Sequence, residues 1–134
     1  MYINITPYQY NISKLNMEIK KSTKVNGLGL FSKKSVKKGD IIFVLTGQKL
    51  NHPTRESIHV GDGVHIVDEY GMFINHSFTP SAIISNSNVM ANVDISEGDE
   101  ITFNYNDSEL EMACPFESDG KLVSGQLVNV KSSK

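Results

Sequence analysis

Two short segments concentrate the residue types that do chemistry. Phe73-Ile74-Asn75-His76-Ser77 runs from apolar residues into an amide, an imidazole and a hydroxyl, more donors and acceptors than a plain strand requires. About 30 residues later, Gly98-Asp99-Glu100-Ile101-Thr102-Phe103-Asn104-Tyr105 is a turn leading into a strand that ends on a tyrosine. On their own residues, Asn75, His76 and Ser77 read either as a binding cluster or as a polar turn that satisfies its own backbone. Tyr105 likewise reads as a site residue or as a strand-end aromatic with its hydroxyl in water. Phe103 shares the side of Tyr105 by the period of two, so it lines the same site or packs in the core. Upstream, Gly27-Leu28-Gly29 fits a hairpin as readily as a ligand loop.

Short strands joined by turns must position these groups. The 134 residues suit one domain with its own core. Asn26-Gly27, between Val25 and Leu28, is a two-residue hairpin signal because both turn positions favour positive φ. The apolar run at residues 41–45 predicts a strand buried on both faces. Residues 57–60 and 64–67 alternate polar with apolar around Gly61-Asp62-Gly63, and residues 81–94 repeat the pattern around Asn86-Ser87-Asn88, so two further hairpins are expected. Residues 96–99 form a turn before Ile101. Helix is expected only over residues 108–113, with Pro115 limiting its extension. The last four residues form a polar tail that should fray.

Composition narrows the function classes. The chain is 39% hydrophobic and 21% charged, ordinary for a globular protein, and no apolar run approaches the roughly 20 residues that span a bilayer. The first 16 residues have neither a basic start nor an apolar middle, so an intracellular setting is expected and the four Asn-x-Ser/Thr sequons, at Asn4, Asn11, Asn75 and Asn106, carry no weight. Cys114 alone cannot form an internal disulfide, and with no histidine adjacent it reads as an inert small hydrophobe. The four histidines have no zinc-ligand spacing, so no metal is expected. Charge is uneven. Residues 1–56 hold 10 of the 13 Lys/Arg against 3 acids, a surplus of +7, whereas residues 57–134 carry −9. The basic half lacks the interleaved aromatics of a nucleic-acid platform and reads as a solvated strand edge. The acids Asp107, Glu109, Glu111, Glu117 and Asp119 follow Tyr105 closely, either as a charged helix surface or as an attractor for a basic peptide.

Taken together and in order, Gly27-Leu28-Gly29-Leu30-Phe31, Lys38-Gly39-Asp40, Phe73-Ile74-Asn75-His76-Ser77 and Gly98–Tyr105 resemble the SET-domain protein lysine methyltransferases. The resemblance covers roughly residues 17–117, far more than any single motif. It implies a mostly β, SET-like (β-clip) fold of small curved sheets with little helix, in which the segments of Asn75 and Tyr105 pass through one another in a pseudoknot. It divides the chain into an N-terminal extension (1–16), a SET-like catalytic domain (17–117) and a C-terminal segment (118–134). The implied activity is S-adenosylmethionine-dependent N-methylation of a lysine in a protein or peptide, with a histone-like basic tail among the candidate partners.

By the same resemblance, Gly27, Leu28 and Gly29 let the backbone approach S-adenosylmethionine. Asn75 bonds the cofactor's amino-acid end, the His76 backbone meets the adenine, and Phe116 closes over it with Met112. Tyr105 stands beside both cofactor and lysine as the catalytic tyrosine. Phe103 and Tyr70 line the substrate channel, and phenylalanine at position 103 implies di- or trimethylation. The family pattern departs at Phe78 and Ser81, where cysteine and asparagine are usual, and the zinc-binding cysteine cluster is missing. Those departures keep a non-catalytic SET-like binding module as the alternative. The insert between Leu50 and Tyr70 is short, which leaves dimerisation as a way to complete the groove.

Overall fold

Apolar runs of three to five residues between glycine turns are too short for one large sheet, and the chain folds into several small ones. The computed structural model describes residues 14–109 and 111–126. The fraying tail and the sequons at Asn4 and Asn11 lie outside the described residues. In chain order the strands are β1 (Met17–Lys21), β2 (Leu28–Ser32), β3 (Ile41–Val44), β4 (Gln48–Leu50), β5 (Ile58–Gly61), β6 (Val64–Val67), β7 (Asn75–His76), β8 (Ala82–Ser85), β9 (Asn88–Ala91), β10 (Glu100–Phe103), β11 (Phe116–Ser118) and β12 (Lys121–Val123). A 3-10 turn at Gly71–Phe73 precedes β7, and one short helix, α1 (Tyr105–Ser108), follows β10.

The central sheet has the order β1-β2-β10-β7, flanked by β3-β9-β8 and β4-β6-β5 and by the ribbon β11-β12. β7 pairs with β10 in parallel, Asn75 opposite Thr102 and Phe103 opposite His76. The Ser77 N–H extends the contact by donating to the Phe103 carbonyl at 3.1 Å. Parallel neighbours need a long crossover, and here the β8-β9 hairpin supplies it. Leu30, Phe43, Ile66, Ile74, Val89 and Ile101 are fully buried where these sheets meet. Each such side chain contributes roughly 1.5–3 kcal/mol by leaving water. Ile74 and Ile101 anchor the two motif-bearing strands in that core.

The hairpins at β5-β6 and β8-β9 form as their alternation predicts, with Asp62 and Asn86 at positive φ in the turns. Three local expectations are corrected. β1 and β2 pair Lys21 with Leu28, so residues 22–27 form a wider loop than an Asn26-Gly27 turn. The Ser22 hydroxyl accepts from the backbone N–H of Lys24 and Val25 and so holds that loop open, while Gly27 turns the chain at φ +136°. The 41–45 run is enclosed only in part: Ile42, Phe43 and Leu45 are buried, whereas Ile41 at its start is 52% exposed. The helix begins at Tyr105 and ends at Ser108 rather than covering 108–113. Asn104 starts it by accepting from the Asn106 N–H, and Glu109 ends it by turning to extended backbone.

Lys14 is buried in an ion pair with Asp68, and β11 straddles residue 117 with its partner strand beyond it. Among the described residues no helix is long and apolar enough to cross a membrane.

Candidate functional site

The parallel pairing of β7 with β10 brings Asn75 and His76 beside the end of the strand that leads to Tyr105. Around this junction lies a cavity of about 630 Å³ whose walls include Asn75, His76, Phe103, Tyr105, Glu109 and Phe116. That volume is in the range that holds a drug-sized ligand, roughly 300–1,000 Å³.

Asn75 is held by its own protein. Its side-chain amide donates to the Leu28 carbonyl at 3.0 Å and to Glu100 Oε2 at 2.8 Å. The other oxygen of Glu100 accepts from the Ser22 hydroxyl at 2.8 Å. Both amide hydrogens are thus spent, and the acceptor Oδ1 has no partner among the described residues. Gly29 makes this possible, since a Cβ there would stand 2.6 Å from Glu100 Oε2 and 3.1 Å from Asn75 Nδ2.

His76 has its tautomer fixed by the chain. Its Nδ1 accepts the Tyr105 backbone N–H at 3.1 Å, so the ring proton resides on Nε2, which is buried without a partner. The ring is edge-on to Phe78 at 4.4 Å, Tyr105 at 5.3 Å and Phe116 at 5.9 Å between centroids. Burial lowers its pKa, outweighing the opposite pull of Asp119 and Asp107, and keeps the imidazole neutral.

Tyr105 donates its hydroxyl to the Ile74 carbonyl at 2.5 Å, and its ring packs tilted against Phe103 with centroids 4.7 Å apart. Burial, then the charges of Glu109 and Glu100, push the phenol pKa well above its ordinary value, so the group stays a hydrogen-bond donor. The segment after α1 returns to the same cavity. Asn106 Oδ1 accepts from the backbone N–H groups of Ser124 and Gly125, and the Met112 N–H donates to the Ser124 carbonyl. This clasp brings Met112 and the β11 residue Phe116 to the wall.

The structure therefore brings Asn75, His76, Phe103, Tyr105 and Phe116 around one cavity, with Met112. Gly27, Leu28 and Gly29 lie outside its lining, and Gly29 reaches it only through Glu100 and Asn75. Tyr70 is also outside. It packs on the core, its ring 5.8 Å from the Lys14 ammonium. Cys114 is exposed at the cavity wall. Sequence reasoning missed Glu100 and Glu109. Glu109 carried one usable signal, its place four residues after Tyr105, which puts it on the same side of a helical turn.

The SET-domain family model matches residues 27–106, more than half of the chain. The chain belongs to the SET domain family. No curated protein matches the sequence closely enough to count as a relative. Among solved structures, it is similar to a Plasmodium falciparum protein assigned as a histone methyltransferase, at 29% identity and TM-score 0.55, covering 67% of this chain and 92% of that one. It is also similar to chains of Chaetomium thermophilum Polycomb Repressive Complex 2. One, a humanized mutant bound to an inhibitor, is 19% identical at TM-score 0.56, covering 68% of this chain and 15% of that one. Another, in complex with H3K27me3 and H3K27M, is 18% identical at TM-score 0.59, covering 66% and 14%. At those identities the Polycomb chains share the fold alone. The mostly β architecture is thus a SET fold.

Proposed function

We propose that this SET domain is an S-adenosylmethionine-dependent protein-lysine N-methyltransferase. The observation that carries the reading is the Tyr105 hydroxyl fixed on the Ile74 carbonyl, one residue from Asn75, inside a single cavity. The residues present fit the cofactor. Asn75 Oδ1 is an unspent acceptor suited to the ammonium of an amino-acid end, and Phe116, set edge-to-face with His76, offers one aromatic face for a purine. When bound, S-adenosylmethionine supplies an electrophilic methyl group on a sulfonium.

The chain's own work is orientation and desolvation. Burial beside Phe103 and Tyr105 strips water from a lysine ammonium and so helps free its lone pair. The Tyr105 hydroxyl, held by Ile74, sits ready to orient the amine without reorganising. Phe103 adds no hydroxyl to that wall, which favours room for a second and third methyl group. Asp107, Glu111, Glu117 and Asp119 are exposed beside the site, and their charge suits a basic tail such as a histone's.

Mass spectrometry of core histones incubated with the protein and S-adenosylmethionine tests this. Wild type is expected to give di- or trimethyl-lysine, and Tyr105→Phe to lose about a hundredfold in rate while still binding the cofactor. Undiminished turnover by Tyr105→Phe would remove the tyrosine from the mechanism, and monomethyl product alone would contradict the role given to Phe103.

A further inference from the structure

Glu109 is 5% exposed, yet it lines the same cavity as Tyr105. One oxygen, Oε2, accepts from the His59 backbone N–H at 2.9 Å and from the Ser108 hydroxyl at 3.3 Å. No donor among the described residues reaches Oε1. The backbone is pinned on both sides, the Glu109 N–H donating to the Tyr105 carbonyl and its carbonyl accepting from the Gln126 N–H, each at 2.9 Å. A carboxylate so placed costs free energy unless a cation meets it. None of the described residues provides one within hydrogen-bond reach. The His59 imidazole faces it, but Nδ1 is engaged with the Ser108 carbonyl and Nε2 with the Gly63 N–H, and the phenol of Tyr105 is neutral. Arg55 and Glu56, on the same cavity wall, are exposed to solvent.

We propose that Glu109 Oε1 is the recognition point for the ammonium of the incoming lysine and the acceptor of its proton, a role that rests on the methyltransferase reading above. The entering ammonium donates an N–H to Oε1. In the closed channel the ion pair relaxes to its neutral form: one Nζ–H bond breaks, one O–H bond forms at Oε1, and the nitrogen lone pair is released. The proton passes to solvent after the product leaves. Burial raises the Glu109 carboxyl above the usual range more than the His59 N–H and the Ser108 hydroxyl lower it, which strengthens it as a base. Proton transfer to Oε1 also removes a conflict in charge. A carboxylate that merely paired with the ammonium would hold it in the unreactive form, whereas one that takes the proton prepares it for attack.

Two small probes test this without a known substrate: N-acetyl-lysine amide and N-acetyl-norleucine amide, which differ in the amine alone. Titrated by NMR with and without S-adenosylhomocysteine, wild type is expected to prefer the lysine probe about tenfold or more. Glu109→Gln is expected to lose that preference. In mildly alkaline buffer, infrared difference spectra should show a protonated carboxyl band when wild type binds the lysine probe and not the norleucine probe. No preference in wild type, including no detectable binding of either probe, overturns the proposal, as does an undiminished preference in Glu109→Gln. A missing carboxyl band overturns the proton transfer. The wild-type comparison decides even if the variant does not fold. S-adenosylmethionine titration separates the two levels: probe preference in a protein that does not bind the cofactor rejects the methyltransferase reading, and cofactor binding without preference rejects the role of Glu109.

Discussion

Asp68 and Glu109 are both buried carboxylates, and the protein treats them in opposite ways. Asp68 spends both oxygens internally, Oδ2 on the Lys14 ammonium at 2.8 Å and the Thr46 N–H at 2.7 Å, Oδ1 on the N–H groups of Tyr70 and Gly71. Burial alone would raise its pKa, but the Lys14 ammonium and the N–H groups of Gly71, Thr46 and Tyr70 outweigh it, and the net shift is downward. Glu109 has no such cation among the described residues, and burial prevails. Asp68 thus ties residue 14, the Thr46 backbone and the turn before β7 into one unit. Glu109 keeps one oxygen that no donor among the described residues meets. A saturated acid builds the scaffold, and an unsaturated one faces the cavity.

The largest effect that would sharpen this contrast is on stability. Asp68→Ala strands the Lys14 ammonium and three backbone N–H groups, and should cost about 3–5 kcal/mol in urea unfolding. Glu109→Gln should stay within about 1 kcal/mol of wild type, and equal losses in the two variants would break the comparison.

Glu100 lies between these extremes, since it spends one oxygen on Ser22 and the other on positioning Asn75. Gly29→Ala forces a Cβ against that carboxylate and should weaken S-adenosylmethionine binding roughly tenfold to a hundredfold by calorimetry. Unchanged affinity would show that Asn75 needs no such support.

The smallest effect is in the pH dependence of stability. The folded pKa of Asp68 is depressed, so its contribution is present above the ordinary aspartate range and is lost as pH falls through the depressed value. That of Glu109 is raised, so its contribution is present below the ordinary glutamate range and is lost as pH rises through the raised value. Urea midpoints measured across pH should show Asp68→Asn flattening the acid limb and Glu109→Gln flattening the limb above it. The reverse assignment would contradict the hydrogen-bond inventory.

Much of the scaffold was legible because its signals are local. The hairpins at β5-β6 and β8-β9 follow from alternation and turn residues, and the turn before β10 from Gly98-Asp99. Asn75, His76, Phe103, Tyr105 and Phe116 share a cavity because the family's motif order encodes a parallel pairing that no periodicity reveals. The rest depends on distant partners. Nothing near Ser22 announces Glu100, which widens the β1-β2 connection, and nothing near Lys14 announces Asp68. Glu109 sits in an acidic stretch that suits a solvated helix, and a distant partner, the β5 backbone N–H of His59, helps draw it inside. Tyr70 looked like a groove residue because an aromatic before the Asn75 motif fits that role, yet it packs against the core beside Lys14.

Calorimetric titration of S-adenosylmethionine into wild type and Asn75→Ala tests the proposed cofactor site most directly, since it needs no substrate. Binding by wild type that a folded Asn75→Ala loses is the expected result. No binding by folded wild type, or equal binding by both proteins, would contradict the role assigned to the cavity at the β7–β10 junction.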